Sequence, residues 1–485
     1  MPYKKISIWR SIDWITILLY VIMIVAGWFS ICGASYEYDN VGLFDPSGRP
    51  GSQLIWIGLS FVLIFIILML DADFYSVFSY LIYGMIILLL IATVFLAPEI
   101  KGSRSWLVIG PLRLQPAEFA KFATALALAK CMSSYGFKLV SFKNFMLCML
   151  IIFLPMVCIL LQKETGSALV YLAFFLVLYR EGMSGYVLLA GICAVTFFVL
   201  NMKFTGILVG ATPMGELIVL VIIQLILTGL TFLVQHKNNT LPAKIIVVAT
   251  AAVYLVAYLV LLLFSIPINF VHISLGIIAA SCCFLIFLAI KNWVWHYLLI
   301  ILFALLSVGF LFSVDYVFNE VLEPHQQVRI KVSLGLEDDP SGAGYNVNQS
   351  KIAIGSGGLL GKGFLNGTQT KLKYVPEQDT DFIFCTVGEE QGFIGSSLTL
   401  IVFAIFIIRL IILSEKQKTA FNRIYGYSVA SIFFFHLVIN IGMVIGLTPV
   451  IGIPLPFFSY GGSALWGFTI LLFIFLRLDA TRKER

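Results

Sequence analysis

Charge is what this chain has least of. Only 12% of its 485 residues are Asp, Glu, Lys or Arg, while 60% are hydrophobic and the mean hydropathy is +1.01. Soluble globular domains carry about 25% charged and roughly 45–50% apolar residues, so that class is excluded. Cysteine occurs eight times (Cys32, Cys131, Cys148, Cys158, Cys193, Cys282, Cys283 and Cys385), but never as a C-x-x-C pair and mostly within or at the ends of apolar runs. Disulfide frameworks and zinc sites need clustered thiols in loops, so these are read as small apolar packing residues. A cleavable leader is missing too: the first apolar run, 14–31, is long and lacks a small-x-small exit, and is read as a first span. Internal repeats with paired broken helices, the mark of many transporters, are not evident in the sequence.

What the chain does have is long apolar runs. A spanning helix needs about 20 mostly apolar residues, whereas a barrel would show strands of about 10 residues with alternating polarity. The runs are continuous and number fourteen: 14–32, 53–70, 75–97, 116–132, 144–162, 165–180, 184–200, 216–234, 244–264, 270–290, 296–315, 384–410, 423–446 and 464–478. The expected fold is all-α, a polytopic transmembrane helical bundle with one long ordered extracytoplasmic loop. With a cytoplasmic N-terminus, 18 of the 31 Lys and Arg fall on inner segments, so the positive-inside bias puts both termini in the cytoplasm. The formal charge of +6 is scattered between spans and forms no single patch, which excludes nucleic acid as a partner.

The long polar stretch 316–383 holds most of the chemistry-bearing side chains: His325, Arg329, the acidic run Glu337-Asp338-Asp339 before Pro340, then Gly342, Gly344, Tyr345, Gln349 and Ser350. Beyond them come Lys351, Gly355, Gly357, Gly358, Gly361, Lys362 and Gly363, followed by Thr380-Asp381, Glu389 and Glu390. The glycine run is not a phosphate-binding P-loop. That motif needs Gly five residues before the Gly-Lys pair and Ser or Thr after it, and Ser356 and Gly363 stand there instead. The glycines are expected to let the backbone bend beside a ligand or membrane surface.

Four signatures in order carry a resemblance to the SEDS family (shape, elongation, division and sporulation) of peptidoglycan glycosyltransferases. They are Gln115-Pro116-Ala117-Glu118 with Lys121, Gln162-Lys163-Glu164-Thr-Gly166, the Asp339-Pro340 loop, and Asn440 with the run from Pro449 through Gly452, Pro454 and Pro456 to Ser459-Tyr460-Gly461-Gly462-Ser463. Glu164 replaces the family's Asp and Lys163 its Pro. The resemblance implies an enzyme that joins the 4-hydroxyl of lipid II to the anomeric carbon of an undecaprenyl-pyrophosphate-linked glycan. It also implies elongation and cell-shape work, ahead of division, in the bacterial inner membrane. Class B penicillin-binding protein and other elongation-complex membrane proteins are the implied partners. Four segments follow: N-terminal spans 1–200, an inserted set of further spans 201–315, the catalytic loop 316–383, and C-terminal spans 384–485.

A hydroxyl attacking a sugar carbon needs a general base, and the resemblance marks Asp339, whose neighbours Glu337 and Asp338 would tend to raise its pKa. Against this, Asp before Pro also simply opens a turn. Pro116 at the first helical position puts Glu118 at the third and Lys121 on the same face, either lining a substrate cavity or neutralising each other at a helix start. The departing pyrophosphate calls for Arg329 and Lys362, or a divalent cation (Mg or Mn), and no covalent cofactor is implied. Gln349 and Ser350 join the substrate-binding set. Thr380-Asp381 is expected to cap the next helix, and His272 and His436 to be hydrogen-bonded packing residues. The rival readings are a lipid II flippase, a division-type polymerase and a non-catalytic scaffold.

Overall fold

The computed structural model describes residues 8–36, 44–100, 102–110, 112–209, 212–235, 241–264, 269–322, 324–336 and 343–484. In hydrocarbon a backbone must satisfy its own hydrogen bonds, so uninterrupted Leu, Ile and Phe runs become helices. In chain order these are α1 (Trp14–Ser35), α2 (Arg49–Met69), α3 (Ser79–Leu96), α4 (Pro116–Met132), α5 (Phe142–Leu161), α6 (Gly185–Phe204), α7 (Met214–Gln235) and α8 (Leu241–Phe264). They continue as α9 (Phe270–Asn292), α10 (His296–Tyr316), α11 (Pro324–Ser333), α12 (Ala343–Ser356), α13 (Ile383–Glu415), α14 (Ala420–Val444) and α15 (Gly462–Glu484). Strands Leu107–Ile109 and Leu112–Leu114 form a small antiparallel hairpin ahead of α4.

Among the described residues, twelve helices are long and apolar enough to cross a membrane. Twelve of the fourteen expected spans meet that measure and two do not. The first, α4, has 17 residues and is buried on nearly every side. The second, Thr165–Arg180, is short and passes from α to 3-10 and back to α. The stretch 316–383, expected as a loop, is substantially helical: α10 runs into a π-turn at Val317–Val321, and α11 and α12 follow.

The chain divides into two compact units, Met1–Ser184 with Pro340–Arg485, and Gly185–Asp339. In the first, α4 packs against α3, α5, α14 and α15. Its Ala117, Ala120, Ala123, Ala125, Ala127 and Ala129 are all buried, and side chains this small let neighbouring helices come close. The second has its own core, in which Phe197, Leu220, Ile223, Leu227, Leu285 and Ile300 are buried together. A polar seam runs through it: the Gln224 amide donates to Thr250 and Ser281, each at 3.1 Å, and Tyr254 meets Ser274 at 2.7 Å.

Candidate active site

Two segments far apart in sequence are spliced together at a break in α13. Gly392 has φ 65° and ψ −161°, which interrupts the helical ladder. The carbonyls of Glu389 and Glu390 accept instead from the N–H groups of Lys362 and Gly363 at 3.0 and 2.9 Å. Beyond the break, the N–H groups of Phe393 and Ile394 donate to the carbonyls of Gly358 and Leu359 at 2.9 and 3.1 Å. A buried broken helix must recover its lost bonds somewhere, and the glycine-rich run supplies them. A Cβ on Gly361 would lie 2.1 Å from the Glu390 carbonyl, so this close approach needs glycine.

The splice fixes Lys362. Its Nζ donates to Glu389 Oε1 and to Thr368 Oγ1, each at 2.7 Å. The Glu389 carboxylate, fully buried, also accepts from the backbone N–H of Gln369 at 2.8 Å and of Thr370 at 2.9 Å. The Gln378 amide ties the Thr370 carbonyl to that of Ala34 on α1. Lys362 keeps part of its side chain exposed, so it is a pre-oriented cation open on one side. An apolar groove of about 680 Å³ opens nearby, lined by Val21, Ile22, Val25, Ala26, Phe29, Phe364 and Gln391.

The second cluster lies inside the bundle. Lys121 Nζ is 2.7 Å from Glu118 Oε2 and 3.1 Å from His436 Nε2, and it sits over the Phe468 ring at 4.6 Å. Glu118 and Lys121 are each 2% exposed, so the ion pair is closed off in this structure. Pro116 and Glu118 take the first and third helical positions after Gln115, as the spacing predicts.

The signatures meet at this cluster. Ser463 Oγ donates to the Arg113 carbonyl at 3.0 Å and accepts from the Gln115 N–H at 3.2 Å, and Gly467 packs on the Glu118 backbone. Gly166 packs on the Ile451 carbonyl. Asn440 Nδ2 donates to the carbonyls of Asp381 (2.8 Å) and Ile453 (2.7 Å), Ser459 Oγ to that of Thr380 (2.6 Å), and the Tyr460 N–H to that of Asp379 (2.8 Å). The buried Asp379 carboxylate in turn holds Arg49, whose guanidinium lies over the Tyr460 ring.

These bonds correct the expected cap. The residue before α13 is Phe382, without a side-chain cap bond, and Thr380 Oγ1 faces Glu377 instead. Tertiary partners hold the 379–381 carbonyls and so fix this turn. Gln349 and Ser350 stand on α12, where the Ser350 hydroxyl donates to the Val444 carbonyl at 2.9 Å. Arg329 lies on α11, but its side chain and that of His325 are outside the described residues, as is all of Asp339. Arg49, Asp379 and the contact of His436 with Lys121 were not foreseen. His436 and Asn440, four apart on one helix face, offered a signal for the last. Among the described residues no group of three His, Cys, Asp or Glu could hold a metal ion.

Glu164 stands just before Thr165–Leu169, and burial pushes its carboxyl above the ordinary carboxylate range although the hydroxyls of Ser105, Ser167 and Ser103 oppose that shift. A carboxyl raised in the fold keeps its proton to higher pH than in the unfolded chain, so its ionisation erodes stability as pH rises from about 4.5. Glu164→Gln is therefore expected to raise the thermal midpoint near neutral pH and to lose that gain below about 4.5, as read by unfolding in detergent. A gain that persists in acid would refute the account.

A family model described as cell cycle protein, spanning FtsW, RodA and SpoVE, matches residues 13–211 and 219–484. The peptidoglycan glycosyltransferase RodA of Treponema pallidum (strain Nichols) is 31% identical over 429 residues, which cover 88% of this chain and 89% of that protein. A chain from a solved peptidoglycan synthase complex superposes with a TM-score of 0.61 at 22% identity, covering 97% of this chain and 98% of its own. Thermus thermophilus RodA superposes with a TM-score of 0.56 at 21% identity, covering 98% of each chain. At these identities the structural likeness concerns the fold, a polytopic helical membrane bundle.

Proposed function

The chain belongs to the FtsW/RodA/SpoVE family, and from that membership we infer that it is a peptidoglycan glycosyltransferase that polymerises lipid II into glycan strands during cell elongation and shape maintenance. The observation that carries this is the 31% identity with a peptidoglycan glycosyltransferase RodA over 88% of the chain. The convergence of three of the four signatures on one cluster supports it.

In the reaction, the 4-hydroxyl oxygen of the lipid II N-acetylglucosamine attacks the anomeric carbon of the lipid-linked glycan. The new glycosidic bond forms as the bond to undecaprenyl pyrophosphate breaks, and direct displacement inverts that carbon. Asp339 takes the hydroxyl proton. Lys362 and Arg329 are assigned to the pyrophosphate, where fixed cations stabilise the charge that develops on departure. Gln349, Ser350 and the Glu118–Lys121 pair complete the substrate set. The apolar groove near Lys362 suits a lipid chain. Because α13 links the two faces, the proposal puts Asn366 outside and Lys416 inside, with both termini in the cytoplasm and a class B penicillin-binding transpeptidase as partner.

The test is reconstitution. Purified protein supplied with lipid II and its transpeptidase partner should make glycan polymer, and a cysteine at Asn366 should label from the outer side only. The break at Gly392 is the observation that favours the second reading, a lipid II transporter, since transporters place substrates at discontinuous helices. Translocation of lipid II without any polymer would make that reading the better one.

A further inference from the structure

His436 is a buried side chain that the chemistry above leaves without a task. It is 1% exposed, and both ring nitrogens are engaged: Nδ1 lies 3.1 Å from the Pro454 carbonyl and Nε2 3.1 Å from Lys121 Nζ. A carbonyl oxygen has no proton to give, so Nδ1 must carry the hydrogen and donate. An ammonium has three N–H groups and no lone pair, so Nε2 must accept. Both contacts demand the same neutral tautomer, which the Pro454 carbonyl fixes. Lys121 is thereby held from three helices, by Glu118 on α4, His436 on α14 and Phe468 on α15.

Pro454 belongs to the segment whose neighbours grip the turn at 379–381. The ring therefore joins that segment to the buried ion pair. We propose that His436 is a positioning residue for polymerisation, setting the direction of the Lys121 ammonium through the hydrogen bond that Nε2 accepts from it. This rests on the assignment of the Glu118–Lys121 pair to the substrate site.

Three variants separate this role from simple packing. In His436→Gln the amide oxygen can reach the place of Nε2 and accept from Lys121, while the tie to Pro454 is lost. In His436→Asn the shorter amide can donate to Pro454 but cannot reach Lys121. In His436→Phe both are gone. The measurement is kcat/KM for lipid II polymerisation by the full chain with its partner, beside the thermal midpoint. His436→Gln should stay within about threefold of wild type, and His436→Asn should fall at least about tenfold, the factor that a lost hydrogen bond to a charged group represents. His436→Phe should match Asn; if it does not fold, the Asn and Gln variants alone decide. Activity kept in Asn and lost in Gln would overturn the proposal, because the Pro454 tie would then be the part that matters. Wild-type rates in both variants would overturn it as well. The double variant Glu118→Gln/Lys121→Met tests the underlying assignment separately. Wild-type polymerisation there would remove the ion pair from the substrate site, whatever the His436 variants show.

Discussion

Asp339→Asn should lower lipid II polymerisation at least about 100-fold while expression, thermal stability and partner binding stay near wild type. Asn keeps the size of the side chain and its ability to open the turn before Pro340, so the change isolates the basic oxygen. Without it the attacking hydroxyl must lose its proton to water, a far weaker base in a confined site. Asp338→Asn is the companion variant and should remain active. Equal loss in the two would spread the role over the acidic run Glu337-Asp338-Asp339, and an unimpaired Asp339→Asn enzyme would remove the general-base assignment altogether.

Lys121→Met should be strongly destabilising. It leaves the Glu118 carboxylate, 2% exposed, without its cation, and stranding one charge of a buried pair costs about 3–5 kcal/mol. Glu118→Gln/Lys121→Met should recover most of the loss, because a neutral pair of similar volume has no unpaired charge to bury. Thermal unfolding in detergent reads both. A Lys121→Met protein as stable as wild type would mean that Glu118 does not carry a stranded charge, having taken a proton or met water. If the double variant is stable but does not polymerise, the pair serves the reaction as well as the fold.

Much of this molecule was legible one residue at a time. The bilayer tolerates few structures, so apolar runs became helices near their expected positions, and Pro116 put Glu118 and Lys121 on one face because proline suits a first helical turn and little else in a helix. The glycines from Gly355 to Gly363 announced a tight bend but not what they bend against. Their partner is a helix break some thirty residues later, and nothing local to either segment encodes that pairing. Thr380-Asp381 read as a cap for the same reason in reverse: the local pattern was favourable, but the helix begins after Phe382, and Asn440, Ser459 and Tyr460 hold the carbonyls of that turn. His436 was read correctly as hydrogen-bonded, while the ammonium it faces lies 315 positions away.

The sequence by itself determined that the chain lives in a bilayer, where its long apolar helices fall, and which family motifs it carries, because each of these depends on the polarity or backbone preference of neighbouring residues. Only the tertiary structure decided which buried charges pair, which carbonyls the signature loops satisfy, and that Gly185–Asp339 builds a core of its own. Those outcomes depend on groups far apart in the chain finding one another in a medium with no water to satisfy them, and that competition is settled by packing.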